Sequence, residues 1–513
     1  MSGYLRRLAT TGAAYTAASI LSKLIAVALL PLYTRYLTPA DYGAAEVMFA
    51  AVVSASIVVR FGMLEALLRF YYKDDEDPAG VVSTSFAALF WLSTAAALIA
   101  LPFAGPISEA LLKEPAPGLA RISIGGLWVL TMFEYLLTLF RLEERARAYF
   151  TTTILSVLAA IGLTVILVVG EGEGARGLLL GSYASGAVFV LGLIVVHRRR
   201  LSLWFDGPLL RRMTRFGLPT MPAELSLYLL NFVDRIVIVR SAGLAEAGLY
   251  SLAVKFAQAV NVLVRGFQLA WPPLAYSIRS DGEARRVYAA VVTWFVAGCA
   301  FVVTGMWLLS RWIVRLLAAP QFFDSYEAIG LIATGVTLYA LYMVLVVILG
   351  RTGRTEFNFP ATIAALVVNI ALNLALVPSL GIVGAGLALV ASYVVVVALM
   401  YLLTQRLFPV PYQWARLGRI VLASATLVAL GELLLPTEGF LGLAARALLW
   451  LAYPAVLLLS GFFTVEERGW LARLRHPGEL LEGLKTIRAE PAVVDGQIPE
   501  VYEAERMDDD SRI

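Results

Sequence analysis

The sequence predicts an all-α polytopic membrane protein: about 14 transmembrane helices in two six-helix lobes, related by a parallel repeat, plus two C-terminal helices. Hydrophobic residues make up 60% of the 513 positions, charged residues only 15%, and the mean hydropathy is +0.79. A soluble protein of this size needs more charge on its surface. Apolar runs of about 20 residues recur without the alternation of barrel strands. A segment of the first half is also repeated, with similar residues, in the second half.

The predicted spans follow the apolar runs, which are separated by turn signals such as TPADYG, DPAG, PAPG and PSLG. Helices satisfy their own backbone hydrogen bonds in lipid, so each run is assigned to one helix. The spans cover residues 8–36, 44–68, 81–104, 119–140, 149–170, 178–197, 216–239, 247–270, 287–310, 325–349, 357–377, 382–405, 417–435 and 441–462.

The basic residues between these spans are unevenly distributed. If the N-terminus is cytoplasmic, 21 of them lie in inner connections and 8 in outer ones. The positive-inside rule therefore predicts a multi-pass protein with both termini in the cytoplasm. The longest basic connection, His197–Arg215, reads as an amphipathic linker between two groups of six helices.

Two stretches 205 residues apart carry the same scattered signals. The match pairs Arg35 with Arg240, Asp41 with Glu246, Gly43 with Gly248 and Arg60 with Arg265, and a weaker one pairs Gly174–Tyr183 with Gly384–Tyr393. A repeat of this kind is typical of transporters built from two similar bundles. The predicted organisation is therefore a first lobe, a linker, a second lobe, helices 13 and 14, and a partly disordered cytoplasmic tail, at residues 1–197, 198–215, 216–405, 406–462 and 463–513.

Composition excludes several classes of site and partner. Cys299 is the only cysteine, so an intrachain disulfide is impossible, and two histidines, His197 and His476, do not suggest a metal site. Topology explains the pI of 9.0 without nucleic acid as a partner. No catalytic motif is found, and we expect neither an enzyme nor a cofactor.

Charged residues inside the predicted spans are the candidate functional residues. Even the mildest scale assigns a cost of about 2.5–3.5 kcal/mol to a centred charge, so these side chains should face water or one another. The cations are Lys23, Arg60, Arg235, Lys255 and Arg265, and the acids in or near the spans are Glu46, Glu65, Glu134, Glu224 and Asp234.

The repeat sets Arg60 and Arg265 at equal depth, in the inner halves of helices two and eight. A cavity with cations from both halves suits an anionic head group, and guanidinium groups bind a diphosphate bidentately. A purely structural pairing with neighbouring helices is the alternative for each of these charges. Glu65 and Asp234 are candidates for proton or sodium sites, or simple partners of the arginines.

Several local strings resemble those of polysaccharide-transport or O-antigen (Wzx-like) flippases of the multidrug/oligosaccharidyl-lipid/polysaccharide exporter superfamily. They are LPLYTRYLTPADYG, FGMLEALLRFYY, FGLPTMPAELSLYLLNFVDRIVIV, GLYSLAVKFAQ and NIALNLALVPSLGIVGAGLALVASY. Together with the helix count and the repeat, the resemblance spans residues 1–462.

This resemblance implies two lobes that alternate between inward and outward openings. Such proteins are thought to carry polyprenyl-diphosphate-linked glycan across the bilayer. The resemblance therefore implies three kinds of partner: the lipid-linked glycan, the lipid bilayer and other polysaccharide-assembly membrane proteins. On this reading Arg60, Arg69 and Arg265 bind diphosphate or acidic sugar, and Lys23 and Lys255 line the route. Asp234 or Glu65 is the coupling carboxylate for protons or sodium.

Three other functions stay open at this point. A drug/cation antiporter of the same superfamily would favour a cavity dominated by carboxylates. A lipid II flippase also has fourteen helices and a basic cavity. A membrane polymerase or glycosyltransferase would need a sizeable catalytic outer loop, and residues 105–118 are too short for one.

Overall fold

The computed structural model describes residues 27–73, 76–354 and 358–464, together with Leu21, Ile25 and Glu467. All regular secondary structure in these ranges is helical, as predicted. Lys23, most of the first predicted span and nearly all of the tail lie outside the described residues. The chain divides into two compact units, residues 1–453 and 454–513.

The first half of the larger unit is built on one helix, α6, which packs against α2, α4, α5 and α8. Prolines at the first helical position start many of these helices, where the missing N–H has no cost. The helices are α1 Leu30–Tyr36, α2 Pro39–Arg60, α3 Met63–Tyr71, α4 Pro78–Ala100, α5 Ala104–Leu112, α6 Pro117–Leu142, α7 Ala146–Val165 and α8 Gly174–His197.

The predicted linker contains the amphipathic helix α9, Gly207–Gly217. Asp206 caps it by accepting a hydrogen bond from the Leu209 amide at 3.1 Å. The apolar face of α9 packs against α3 and α4, with Leu209 and Met213 buried in a core shared with the first half. The linker is therefore fixed to the first lobe.

The second half repeats the same plan around α14, which packs against α11, α12, α13 and α15. Its helices are α10 Met221–Ala242, α11 Leu244–Ala257, α12 Val260–Ser277, α13 Asp281–Leu317, α14 Tyr326–Arg351 and α15 Asn358–Leu407. Two further helices pack against α13, namely α16 Trp414–Leu434 and α17 Gly439–Leu451. The short helix Tyr453–Leu459 begins at the border of the second unit.

Nine described helices or helix runs are long and apolar enough to cross a membrane, or ten if Gly439–Leu451 and Tyr453–Leu459 count as one. The multi-pass membrane class is thus confirmed. The count of fourteen stays a prediction, because the first span is mostly outside the described residues and several predicted spans are broken.

The predicted second span, 44–68, is wrong as a continuous helix. The chain breaks after Arg60, where Phe61 and Gly62 have φ values of 48° and 66°. A Cβ on Gly62 would lie 2.0 Å from the carbonyl oxygen of Gly217, so only glycine allows this approach. The break therefore brings the end of α2 against the end of α9.

The predicted span 247–270 is also broken, between α11 and α12. The Ala259 amide bonds to the Phe256 carbonyl and the Asn261 amide to the Gln258 carbonyl, both three residues back. These shorter turns replace the α-helical pattern for a few residues. Helix eight of the prediction is therefore two helices.

The predicted spans 357–377 and 382–405 meet in the single element α15. Gly381, with φ 54° and ψ −133°, is not helical, and a Cβ on Gly384 would lie 2.6 Å from the carbonyl oxygen of Leu376. Residues eight apart in a straight helix are about 12 Å apart. The chain thus reverses at Gly381, and α15 is a helical hairpin with almost no loop.

Helix α2 runs along the second half and positions the site. Near its start, a Cβ on Gly43 would lie 2.1 Å from the Leu244 carbonyl oxygen and 2.7 Å from the Gly248 nitrogen. Near its end, Gly62 meets Gly217. Helix α2 also packs along α10 and α11, so one helix of the first half borders the second half over its whole length.

Candidate functional site

A cavity of about 690 Å³ lies between the two halves. Its walls come from α2 and α6 of the first half and from α10, α11, α12, α14 and α15 of the second. Charged side chains from both halves face it: Glu46, Arg60, Glu134, Glu224, Arg235, Lys255 and Arg265. The repeat-related pair Arg60 and Arg265 therefore lies on one cavity, as the sequence predicts.

Arg60 is held by two carboxylates from other helices. Its Nη1 donates to Oε2 of Glu134 on α6, and its Nη2 donates to Oε1 of Glu224 on α10 at 3.2 Å. The Arg60 side chain is only 10% exposed, whereas the two carboxylates are 38% and 43% exposed. Arg60 thus ties α2 to one helix of its own half and to one of the other half.

Lys255 makes a second ion pair across the halves. Its Nζ lies 3.1 Å from Oε1 of Glu46, which is nearly buried on α2. On the same side of the cavity, Nε of Arg235 donates to the hydroxyl of Ser251 at 3.0 Å. These pairs satisfy charges that would otherwise be costly at this depth.

Arg265 differs from the other cations. It is exposed to the cavity near Tyr339, and the described part of the chain offers it no hydrogen bond or ion pair. Its guanidinium group is therefore available to a ligand without a competing carboxylate. Four cations and three acids line the described cavity wall, which leaves a net charge of +1.

Uncharged polar groups complete the wall. Gln258 and Asn261 flank the break between α11 and α12, and Tyr228, Tyr339 and Tyr393 contribute aromatic rings. Tyrosine rings can pack against sugars, and the tyrosine hydroxyls and side-chain amides can donate hydrogen bonds to sugar or phosphate oxygens. The arrangement can bind a polar, anionic head group between the two halves.

Two predicted site residues, Arg69 and Glu65, lie away from the cavity wall. Arg69 is exposed on α3, with its guanidinium carbon 4.5 Å from the ring centroid of Phe216, and it does not line the cavity. Glu65, also on α3, lies near Glu134 and Glu224 but is absent from the cavity wall. Lys23 falls outside the described residues. The break at Phe61 explains the first two, because α3 departs from the line of α2.

Asp234 is fully buried inside the second half and does not reach the cavity. It accepts hydrogen bonds of 2.7 Å from the Tyr250 hydroxyl on α11 and from Nδ2 of Asn373 on α15. The side-chain oxygens of Asn369 and Asn373 are buried without a hydrogen-bond donor among the described residues. Asp234 and Arg235 are adjacent in sequence but serve different sites.

Sequence reasoning did not assign Glu46, Glu134, Glu224 and Arg235 to the site. Each was recognised as a charge within a span, and the cost of such charges was the signal that could have placed them here. Their partners could not be read from the sequence, because Arg60 is 74 residues from Glu134 and 164 from Glu224.

Comparisons with known proteins agree with this architecture. Residues 32–267 match the family model of the polysaccharide biosynthesis proteins. The match covers a little less than half of the chain. A curated relative, the succinoglycan biosynthesis transport protein ExoT of Rhizobium meliloti, is 25% identical over 320 residues. The alignment covers 59% of this chain and about three fifths (61%) of that relative's length.

Solved structures are similar to this chain in fold. The lipid II flippase MurJ, in an inward closed conformation, superposes with a TM-score of 0.68 at 13% identity, covering 87% of this chain and 98% of that one. An inward-facing multidrug resistance MATE family transporter of the MOP superfamily gives a TM-score of 0.63 at 17% identity, covering 79% and 95%. The chain therefore shares the fold of these two solved proteins.

Proposed function

We propose that this protein is a flippase that carries polyprenyl-diphosphate-linked oligosaccharide from the inner to the outer leaflet of the cytoplasmic membrane. It acts by alternating access and serves surface polysaccharide biosynthesis. The observation that carries the proposal is the position of Arg60 and Arg265, equivalent in the repeat, on one cavity between the two halves. The family match and the transport relative support the same substrate class.

The chemistry of the cavity supports an anionic head group. Arg265 offers a guanidinium fork that can bind two phosphate oxygens at once, and Lys255 and Arg235 lie on the same wall. The diphosphate binds at these cations, and the sugars occupy the space beside the tyrosines. The lipid chain stays in apolar surroundings. Arg69, outside the cavity, would contact substrate only as it enters.

Transport against a gradient requires an energy source, and Asp234 is our candidate for ion coupling. A buried carboxylate whose neighbours are a hydroxyl and an amide group, both able to reorient, can take up a proton or a sodium ion. Because Asp234 joins α10, α11 and α15, its ionic state would bias how the second half packs. Glu65 is a second candidate, close to the carboxylates that hold Arg60.

The charge bias supports the proposed orientation, and the bacterial transport relative supports the proposed membrane. Both termini lie in the cytoplasm of a bacterial-type cell, and the polypeptide spans the inner membrane. The lipid-linked glycan and the bilayer are the partners, and other polysaccharide-assembly membrane proteins would supply and receive the glycan.

Reconstituted translocation tests the function. Purified protein in proteoliposomes should move a fluorescent polyprenyl-diphosphate sugar to the opposite leaflet, and the Arg60→Ala, Arg265→Ala double variant should not. An exposed cation away from the cavity, Arg315→Ala, is the control and should transport normally. Transport unaffected by the double variant would overturn the role of the cavity arginines.

Two alternatives have specific support. The lipid II flippase reading rests on the MurJ-like fold, and preference for a lipid-linked peptide sugar over other glycans in the same assay would favour it. The cation antiporter reading rests on the three cavity acids. If the wild-type protein exports organic cations and does not transport the lipid-linked sugar, the antiporter function would replace our proposal.

A further inference from the structure

A second cavity, of about 270 Å³, lies inside the first half and has the opposite character of the charged one. No charged residue is among its described lining residues. The wall is formed by α2, α6, α7 and α8 and includes Phe49, Val53, Ala160, Tyr183 and Gly186. We call it the apolar annex.

Two of the four hydroxyl groups in this wall donate hydrogen bonds within their own helices. The hydroxyl of Ser156 donates to the Thr153 carbonyl at 2.9 Å, and that of Ser185 donates to the Gly181 carbonyl at 2.8 Å. Both bonds lie within the serine's own helix. These serines therefore do not demand a polar ligand, and the annex presents a surface suited to hydrocarbon.

The annex and the charged cavity share a wall. Phe49 and Val53 on α2 line both spaces, and the Phe49 ring packs on Tyr183 with centroids 5.4 Å apart. Arg60 lies seven residues beyond Val53 on the same helix, a distance of about 10 Å. A molecule with a charged head and an apolar chain can thus place the head at the arginines and the first part of the chain in the annex.

The annex also lies beside helix surface that we expect to face the bilayer. Helix α7, which forms one wall, is largely exposed, and it packs mainly along α8 and only weakly along α6. A chain that enters the annex can continue between α6 and α7 into lipid. A volume just below the roughly 300–1,000 Å³ of drug-sized pockets fits a short segment of the chain rather than the whole of it.

We infer that the apolar annex binds the isoprene units next to the diphosphate of the substrate, so that the first half holds the lipid while both halves hold the head group. This inference rests on the proposed function and adds a chain-binding site to it. A phospholipid acyl chain is the competing occupant, but it has no diphosphate to place at the cavity arginines, so head and chain would not bind cooperatively.

Binding measurements on the full-length protein in nanodiscs separate these cases. Inorganic pyrophosphate, geranyl diphosphate and farnesyl diphosphate serve as probes. Wild type should bind geranyl and farnesyl diphosphate at least tenfold more tightly than pyrophosphate. Ala160→Phe fills the annex and should reduce that ratio to about twofold, while the affinity for pyrophosphate stays unchanged.

Leu158→Phe is the matched control, because Leu158 lies on the same helix but is 48% exposed on the lipid side. In this variant the probes partition into the bilayer as they do with Ala160→Phe, but the annex is not filled. The variant should therefore keep the wild-type affinity ratio. Gly186→Leu fills the annex from α8 and serves as a second test if Ala160→Phe lowers thermal stability.

The outcomes are distinct. The annex is not a chain site if Ala160→Phe and Gly186→Leu leave the ratio of prenyl diphosphate to pyrophosphate affinity unchanged, or if Leu158→Phe lowers that ratio equally. Either result leaves the proposed function intact. A wild type that binds none of the three diphosphates overturns the proposed function and this inference together.

Discussion

Arg60 and Arg265 occupy equivalent positions in the repeat and face one cavity, but their partners differ. Two carboxylates from α6 and α10 hold Arg60, whereas Arg265 has no hydrogen-bond or ion-pair partner among the described residues. The two guanidinium groups therefore have different roles in binding. Arg265 can meet an anion first, and Arg60 can meet it only by exchanging a carboxylate for a phosphate oxygen.

Replacing Arg265 tests the first of these roles. Arg265→Ala should weaken pyrophosphate binding about tenfold or more, since a charged contact is worth about 1.5–3 kcal/mol. Its melting temperature should match wild type, because no described contact is lost. Arg60→Ala should lower both affinity and melting temperature. Isothermal titration and thermal melts in the same detergent measure both, and equal stability losses in the two variants would contradict the assignment.

Removing the carboxylates tests the exchange. The Glu134→Gln, Glu224→Gln double variant frees Arg60 and should tighten pyrophosphate binding severalfold. It should also slow translocation, because tighter ground-state binding delays release. Glu143→Gln removes a carboxylate that pairs with Arg145 and Arg200 outside the cavity and should change neither quantity. Weaker binding in the double variant would show that these acids are ligands themselves.

Closure at the predicted outer side depends on the glycine contact. Gly43→Val places a side chain where the Leu244 oxygen lies 2.1 Å from the Cβ position, so the halves must separate there. Spin labels at positions 36 and 241, in a Cys299→Ser background, should report longer distances. Gly192→Val, which meets nothing within 4 Å, is the control. An unchanged distance distribution in Gly43→Val would show that closure tolerates the bulk.

Coupling depends on the charge of Asp234. Asp234→Asn keeps the shape and can retain a hydrogen bond, but it cannot gain or lose a proton and binds sodium more weakly. Stimulation of transport by a sodium or proton gradient should disappear, while downhill transport persists. Asp281→Asn, at a 65%-exposed surface carboxylate, should respond as wild type does. Equal stimulation of wild type and Asp234→Asn would exclude this coupling site.

The C-terminal helices should depend on a buried arginine. Arg446 on α17 is 0% exposed, and its Nη1 donates to Glu432 on α16 at 2.5 Å. Its Nε donates to the Pro436 carbonyl at 3.1 Å. Arg446→Ala empties a buried space and leaves the Pro436 carbonyl without this donor, so it should lower the melting temperature clearly even though Glu432 is 35% exposed. Arg315→Ala breaks a more exposed pair and should shift it little.

The sequence predicted the helices well because a bilayer-length apolar run has almost no other stable structure. It could not predict the breaks. Hydropathy carries no information on φ, so the positive φ values at Phe61 and Gly62 were invisible, and Arg69 was placed on the line of Arg60. The reversal at Gly381 was placed correctly by PSLG, but its lack of a loop was not foreseen.

The site was predicted in part for the same reason. Repeat matching placed Arg60 and Arg265 together, since equivalent helices of two similar bundles face a common axis. The ion pairs required tertiary contacts, as between Lys255 and Glu46, which no spacing reveals. Asp234 was recognised as a costly charge, but its burial away from Arg235 depends on how α10 turns between two sets of neighbours.

Gly43 and Gly248 are partners in the sequence repeat and also touch each other. In a symmetric homodimer, only residues near the two-fold axis contact their own copies. The contact between these glycines therefore preserves, within one chain, the self-contact of an isologous dimer. An ancestor with a single copy of the repeat would have needed just one glycine here to close two identical subunits. After fusion, each of the two positions became free to change alone. The surroundings of Arg60 and Arg265 already differ between the repeats in this way.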